Sequence, residues 1–278
     1  MKTILITGSS SGIGEACALH LDKLGHQVYA GVRRESDGDR LRSSASDRLS
    51  PVIIDVTDQA SIEAAAKRVE SEVGRLDGLV NNAGVGRGGP IEFLSLDEWR
   101  DQFEINVFGQ VAVTKAMIPL IRRAGGRIVF IGSIGGRVST QSLAPYDASK
   151  FAIEAIGDSL RQELYPWGIQ VSIVEPGAIK TEIWNKASET VERLEREYPA
   201  EARSLYAKHI EGAKKAIEFQ TKNAVPAQKV ADAVEHALFA RRARTRYLVG
   251  RDARMTAAMR TLLPDRALDA VIRRVTGP

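Results

Sequence analysis

The sequence predicts an α/β fold: a single-domain, doubly wound parallel sheet of about seven strands with helices on both faces. Three observations carry this. Short apolar runs, several rich in Val and Ile, occur at residues 3–7, 27–32, 50–54, 78–81, 127–131, 170–174 and 246–249. They lack the strict polar alternation of strands wetted on one face. Longer helical patterns separate them, and no internal repeat or low-complexity segment interrupts the alternation.

The first strand runs directly into Gly8-Ser9-Ser10-Ser11-Gly12-Ile13-Gly14, which opens a helix. Ile13, Cys17, Leu21 and Leu24 fall on one face of that helix, and Gly25 stands where it should end. Glycines let the backbone turn tightly and approach a pyrophosphate, and the helix N-terminus offers unpaired N–H groups. A flexible turn is the plain alternative, but strand and helix flank the glycines as a dinucleotide cradle requires. Gly8, Ser10, Ser11, Gly12, Ile13 and Gly14 are therefore the first candidate cofactor residues. The second strand ends in Arg33-Arg34, where an acidic side chain would accept bonds from a free ribose 2′-hydroxyl. Two guanidinium groups there suit a 2′-phosphate and favour NADP(H) over NAD(H).

After the third strand, Asp55-Val56 has two readings, a contact to the adenine or, with Asp58, the cap of the next helix. Asn81-Asn82-Ala83-Gly84 follows the fourth strand, and Ser133 closes the fifth at the carboxyl edge where open parallel sheets bind ligands. Tyr146 and Lys150, four residues apart, share a helix face. Residues 184–225 are charged and helical without a strand, either a cover over a site or a surface helical pair. A helix near 227–239 and the last strand follow. Beyond residue 250 two amphipathic pieces, divided by Pro264, form a helical extension to 278. They suit packing on the parent domain or a second subunit better than a membrane.

This set resembles the short-chain dehydrogenase/reductase family. Thr7-Gly8-x-x-x-Gly12-x-Gly14, Asn81-Asn82-Ala83-Gly84, Asn106, Ser133, Tyr146-x-x-x-Lys150, and Pro176-Gly177 with Thr181 stand in the family's order, and the resemblance covers roughly residues 3–250. It implies a Rossmann-type fold and catalytic roles for Asn106, Ser133, Tyr146 and Lys150. It also implies cofactor contacts from Asp55, Val56, Asn82, Ala83, Gly84, Tyr146, Lys150, Pro176, Gly177, Ile179 and Thr181. Asp147 and Glu175 depart from the usual residues at their positions. The stretch 19–33 and the long C-terminal portion look like the retinol and hydroxysteroid dehydrogenase branch.

The implied chemistry interconverts an alcohol, here lipophilic, and its ketone or aldehyde. A phenol can give or take the proton, but its ordinary pKa near 10 is high for ionisation at neutral pH. An ammonium beside it favours the phenolate. By resemblance Lys150 also holds the nicotinamide ribose, and Asn106 supports the lysine through a bound water. Ser133 can hold the substrate oxygen. Taken singly, each of the four has an ordinary structural reading; their joint spacing points to chemistry. A non-catalytic NADP(H)-binding sensor on the same fold is the alternative, although a sensor needs no proton donor.

Composition narrows the classes further. The 278 residues carry a net charge of +4 and one cysteine, Cys17, so no intrachain disulfide forms. From Arg241 onward ten arginines face three aspartates, so the basicity belongs to the tail and reads as solvated surface, with attraction to an anionic membrane surface or an acidic ligand as the alternative and little support for a nucleic-acid site. The four histidines lack metal-ligand spacing. No run reaches the roughly 20 apolar residues of a membrane span, and the N-terminus lacks a signal pattern. A cytoplasmic protein is expected. By resemblance it forms a homo-oligomer, dimer or tetramer, through helices near 99–120 and 146–165.

Overall fold

The computed structural model describes residues 1–276. Gly277 and Pro278, the end of the expected extension, lie outside the described residues, as do the side chains of Val275 and Thr276. The chain begins β1 (Thr3–Ile6), α1 (Gly12–Lys23), β2 (Gln27–Val32), α2 (Glu35–Arg42), β3 (Leu49–Ile53), α3 (Gln59–Val73) and β4 (Gly78–Asn81). Next come α4 (Leu96–Phe103), a π-helical turn (Glu104–Gly109), α5 (Gln110–Ala124), β5 (Arg127–Ile131), α6 (Ala144–Glu163) and β6 (Gln170–Pro176). The last part holds β7 (Ile179–Lys180), α7 (Ile183–Glu197), α8 (Ala200–Leu205), α9 (Ala207–Asn223), β8 (Val225–Pro226) and α10 (Gln228–Phe239). It closes with β9 (Arg246–Val249), α11 (Arg251–Leu262) and α12 (Asp265–Thr276).

Seven strands form one parallel sheet in the order β3-β2-β1-β4-β5-β6-β9. The apolar runs lack alternation because both faces are covered. Ile4 and Ile6 of β1, Val80 of β4 and Val129 of β5 enter one core, against Cys17 and Leu21 of α1 and Val230 and Val234 of α10. Leu5, Leu79, Ile128 and Phe130 enter the other, against α3 and α5. Full burial of each such side chain contributes about 1.5–3 kcal/mol before the entropy of ordering it is counted.

Strand order reverses between β1 and β4, which opens a crevice at the carboxyl edge of the sheet. Residues 176–181 leave β6 there. A second sheet of two short strands, β7 and β8, pins this segment to the chain that enters α10. That sheet was not foreseen, since two-residue strands carry no periodicity.

Candidate active site

The glycine turn fits a dinucleotide by its own stereochemistry. Gly12 adopts φ +61°, which L side chains rarely adopt, and a Cβ on Gly14 would overlap the Gly8 carbonyl. Ser11 precedes α1 without spending its hydroxyl on the helix, so the first-turn amides have no side-chain cap from it. Ser10 is half-buried, and Ile13 packs against the core behind the turn. Asn82 donates from Nδ2 to the carbonyls of Thr7 (2.9 Å) and Gly8 (3.0 Å), while Thr7 Oγ1 accepts the amides of Asn82 and Ala83, both at 3.0 Å. Asn82 thus braces the cradle with its amide group, and the exposed Gly84 borders it.

At the adenosine end Arg33 and Arg34 are both exposed, but they differ. Arg34 is held by Asp37 at 2.9 Å, whereas among the described residues no ion pair within 4.0 Å engages Arg33, whose charge acts on the same carboxylate from further off. Arg40, which the sequence did not single out, reaches from α2 to Glu15 (2.6 Å) and the Ser10 carbonyl. The helix-cap reading of Asp55 does not hold. Asp58 caps α3 through the Ala60 amide (3.0 Å), and Asp55 accepts the Thr57 amide (3.0 Å) and hydroxyl (2.8 Å) in a local turn. Val56 is buried and lies against Gly109.

On the nicotinamide side, Thr181 sits directly over Gly12, where a Cβ would come within 3.1 Å of Thr181 Cγ2. Pro176 ends β6 and the Gly177 amide donates to Val249 O at 2.9 Å. Ile179 packs its side chain into the core, so only its backbone faces this region, and its carbonyl takes the Trp184 indole N–H at 2.7 Å.

Tyr146, Lys150 and Ser133 converge at the end of β5. Lys150 Nζ is 5.7 Å from the centre of the Tyr146 ring and donates to Ile131 O at 2.8 Å. Ser133 accepts the Gly135 amide at 3.0 Å and hydrogen-bonds the phenol. Asn106 lies in the π-helical turn, fully buried. Its Oδ1 accepts Val85 N (2.8 Å) and its Nδ2 donates to Val85 O (2.9 Å) and Ser149 Oγ (3.1 Å). Ser149 in turn donates to Tyr146 O at 2.6 Å, so Asn106 braces the helical turn between tyrosine and lysine.

The resemblance implied a tyrosine acidified by its lysine; burial of the phenol acts in the opposite direction. Burial pushes the Tyr146 phenol up to about 12, helped by the Asp147 carboxylate and opposed by the Ser133 hydrogen bond. Burial also pulls Lys150 down to about 8, against the supporting charge of Glu154. The Lys150 ammonium gives its hydrogen bond to Ile131, and burial is the largest influence on both groups.

The two departures from the family pattern have structural roles. Asp147 is buried and accepts the Thr140 amide (2.8 Å) and the Ser139 hydroxyl (3.1 Å), fixing the loop ahead of α6, and burial raises it to about 7. Glu175, wholly buried, pairs with Arg137 at 2.6 Å, and Arg246 approaches it at 3.4 Å. Beside this site, α7–α9 packs on residues 86–94. Tyr198 sits against Gly89, Tyr206 donates to Glu92 (2.9 Å), and Arg193 pairs with Glu98 of α4 (2.6 Å). Among the described residues no cluster suits a metal ion, and no helix is long and apolar enough to cross a membrane.

A cradle for a dinucleotide and a tyrosine–lysine–serine group on one sheet edge define a nucleotide-dependent oxidoreductase, and sequence comparison agrees. The profile of the family described as "short chain dehydrogenase" matches residues 2–192, and the chain belongs to that family. It is an NAD(P)-dependent oxidoreductase. Retinol dehydrogenase 5 of Mus musculus is 39% identical over 277 residues, covering 97% of this chain and 87% of that protein. An NADPH-dependent 3-dehydrocapnine reductase of Ornithobacterium rhinotracheale is 34% identical over 279 residues, covering 98% and 96%. Among solved structures, a short-chain dehydrogenase from Streptomyces avermitilis superposes with TM-score 0.79 at 30% identity, covering 99% of this chain and 94% of that one.

Proposed function

We propose that the protein is an NADP(H)-dependent oxidoreductase that interconverts a lipophilic alcohol and its ketone or aldehyde. The observation that carries this reading is the convergence of Tyr146, Ser133 and Lys150 beside the glycine cradle. Bound NADPH supplies the hydride. Tyr146, its phenol kept protonated by burial, gives the proton to the carbonyl oxygen, and in the reverse direction it takes the alcohol proton. Ser133 holds the substrate oxygen and bears part of the charge that develops on it. Lys150 holds the ribose and supplies positive charge behind the phenol, while Asn106 fixes the helical turn that carries both.

Arg33, which makes no hydrogen-bonded ion pair with Asp37 as Arg34 does, supports recognition of the 2′-phosphate, and the NADPH dependence of the 3-dehydrocapnine reductase relative points the same way. The name of the retinol dehydrogenase relative and the aromatic contacts of Phe93 with Tyr198 and Tyr206 support a lipophilic substrate beneath a lid formed by α7–α9. Exposed Phe108 and Phe151 support association of two copies through the surfaces near α5 and α6. The test is oxidation of NADPH, with NADH in parallel, across retinoid, steroid and aliphatic carbonyls. Turnover of a lipophilic carbonyl with NADPH is expected; a complete lack of turnover with either cofactor contradicts the reading.

A further inference from the structure

We infer that Asp252 is a positioning residue for the loop on the nicotinamide side, and that through it the C-terminal helices set how tightly the dinucleotide is held. The inference rests on the reading above that a nicotinamide dinucleotide occupies the cradle. Residues 176–181 carry Thr181 from the end of β6 onto Gly12, so the root of this segment determines where Thr181 stands. Three hydrogen bonds hold that root: Gly177 N to Val249 O at 2.9 Å, Val225 N to Ala178 O at 3.0 Å and, the one made by a side chain, Ala178 N to Asp252 Oδ2 at 2.6 Å.

Asp252 lies in the first turn of α11, where an acid is favoured by the helix dipole, yet it does not cap its own helix. Its carboxylate instead crosses 74 positions of sequence to meet Ala178. The slot it fills exists because two glycines face it. A Cβ on Gly177 would overlap Asp252 Oδ2, and a Cβ on Gly250, which also adopts φ +109°, would overlap Oδ1. Two backbone positions thus leave room for one carboxylate, and that carboxylate binds the amide that begins the cofactor loop.

The test uses the full chain, with NADPH as the probe, as wild type, Asp252→Ala and Asp252→Asn. For Asp252→Ala the Kd and KM for NADPH rise about tenfold. With saturating cofactor kcat stays within about threefold of wild type. Hydrogen exchange in the peptide spanning residues 176–181 accelerates in the protein without cofactor. Asp252→Asn, which keeps an acceptor oxygen for Ala178, restores most of the affinity; failure of that rescue contradicts the inference. A folded Asp252→Ala protein with wild-type Kd and unchanged exchange overturns it, as does a fall in kcat at constant KM. Should the alanine variant not fold, Asp252→Glu replaces it: the longer side chain cannot occupy the slot, and the same rise in KM is expected. A wild-type protein that binds no NADPH overturns the proposed function instead, and exchange in the loop still reads the Asp252 contact.

Discussion

Lys150 Nζ stands 5.7 Å from the centre of the Tyr146 ring and gives its hydrogen bond to the Ile131 carbonyl. In the proposed mechanism the pair acts as a neutral phenol with a weakened ammonium behind it. Carbonyl reduction needs the phenol protonated and the lysine charged. The phenol keeps its proton up to about 12, whereas Lys150, lowered to about 8, loses its charge first.

The kcat/KM for reduction should accordingly be level from about pH 6 to about pH 8 and fall above that. Glu154→Gln removes the carboxylate that supports the ammonium and should move the fall to lower pH. A rate profile for both proteins settles this; a level profile to about pH 10 would contradict the assignment to Lys150.

Asp147 gives a stability prediction. Its value in the folded protein is about 7, above the ordinary 3.8, so between these values the folded state holds the proton more tightly than the unfolded chain. The stability it contributes is complete at low pH and is lost as pH rises through about 7. Asp147→Asn keeps an acceptor for Thr140 and Ser139 and cannot ionise. Urea unfolding should show little difference from wild type at about pH 4 and a gain on the order of 1–3 kcal/mol at about pH 8. Equal stability at both values would show that burial does not strain this carboxylate.

Arg246 joins β9 to α6 and β6, with Glu154 at 2.9 Å, Asp158 at 2.7 Å and Glu175 at 3.4 Å. Removing one partner of a buried ionic group leaves the others uncompensated. Arg246→Met should lower unfolding free energy by about 3 kcal/mol, read from denaturant midpoints. A loss below about 1 kcal/mol would mean that Arg137 alone satisfies the buried Glu175.

In the proposed function Arg33 carries the preference for NADP(H), since Asp37 occupies Arg34. Arg33→Ala should reduce the preference for NADPH over NADH by about tenfold in kcat/KM while leaving the NADH values near wild type. An unchanged ratio would move recognition of the 2′-phosphate elsewhere at this end, with Arg40 the next residue to vary.

Much of the sheet was legible in the sequence because burial on both faces writes itself as short apolar runs. The seven expected strands match those of the main sheet to within two residues at each end. β6 extends to Pro176, beyond the apolar run, because Glu175 and Pro176 pair with Leu248 and Val249 of β9. Spacing also revealed Tyr146 and Lys150, since a four-residue interval on a helix fixes a shared face. Contacts made across the fold were not legible. Arg40 reaches Ser10 over 30 positions and Asp252 reaches Ala178 over 74, and neither contact follows any local period. The π-helical turn holding Asn106 was hidden for the same reason. It places Gly109 against Val56, where a Cβ would lie 2.8 Å from the Val56 carbonyl, a close approach that helical periodicity does not encode. The protonation balance at Tyr146 depends on burial, which spacing alone does not report.

The role of the Tyr146 hydroxyl is tested most directly by single-turnover reduction of a carbonyl substrate by Tyr146→Phe preloaded with NADPH. The account predicts NADPH binding within about threefold of wild type and a chemical step slowed by about 10²–10⁴. A phenylalanine variant that consumes NADPH at the wild-type rate would show that the proton comes from another group.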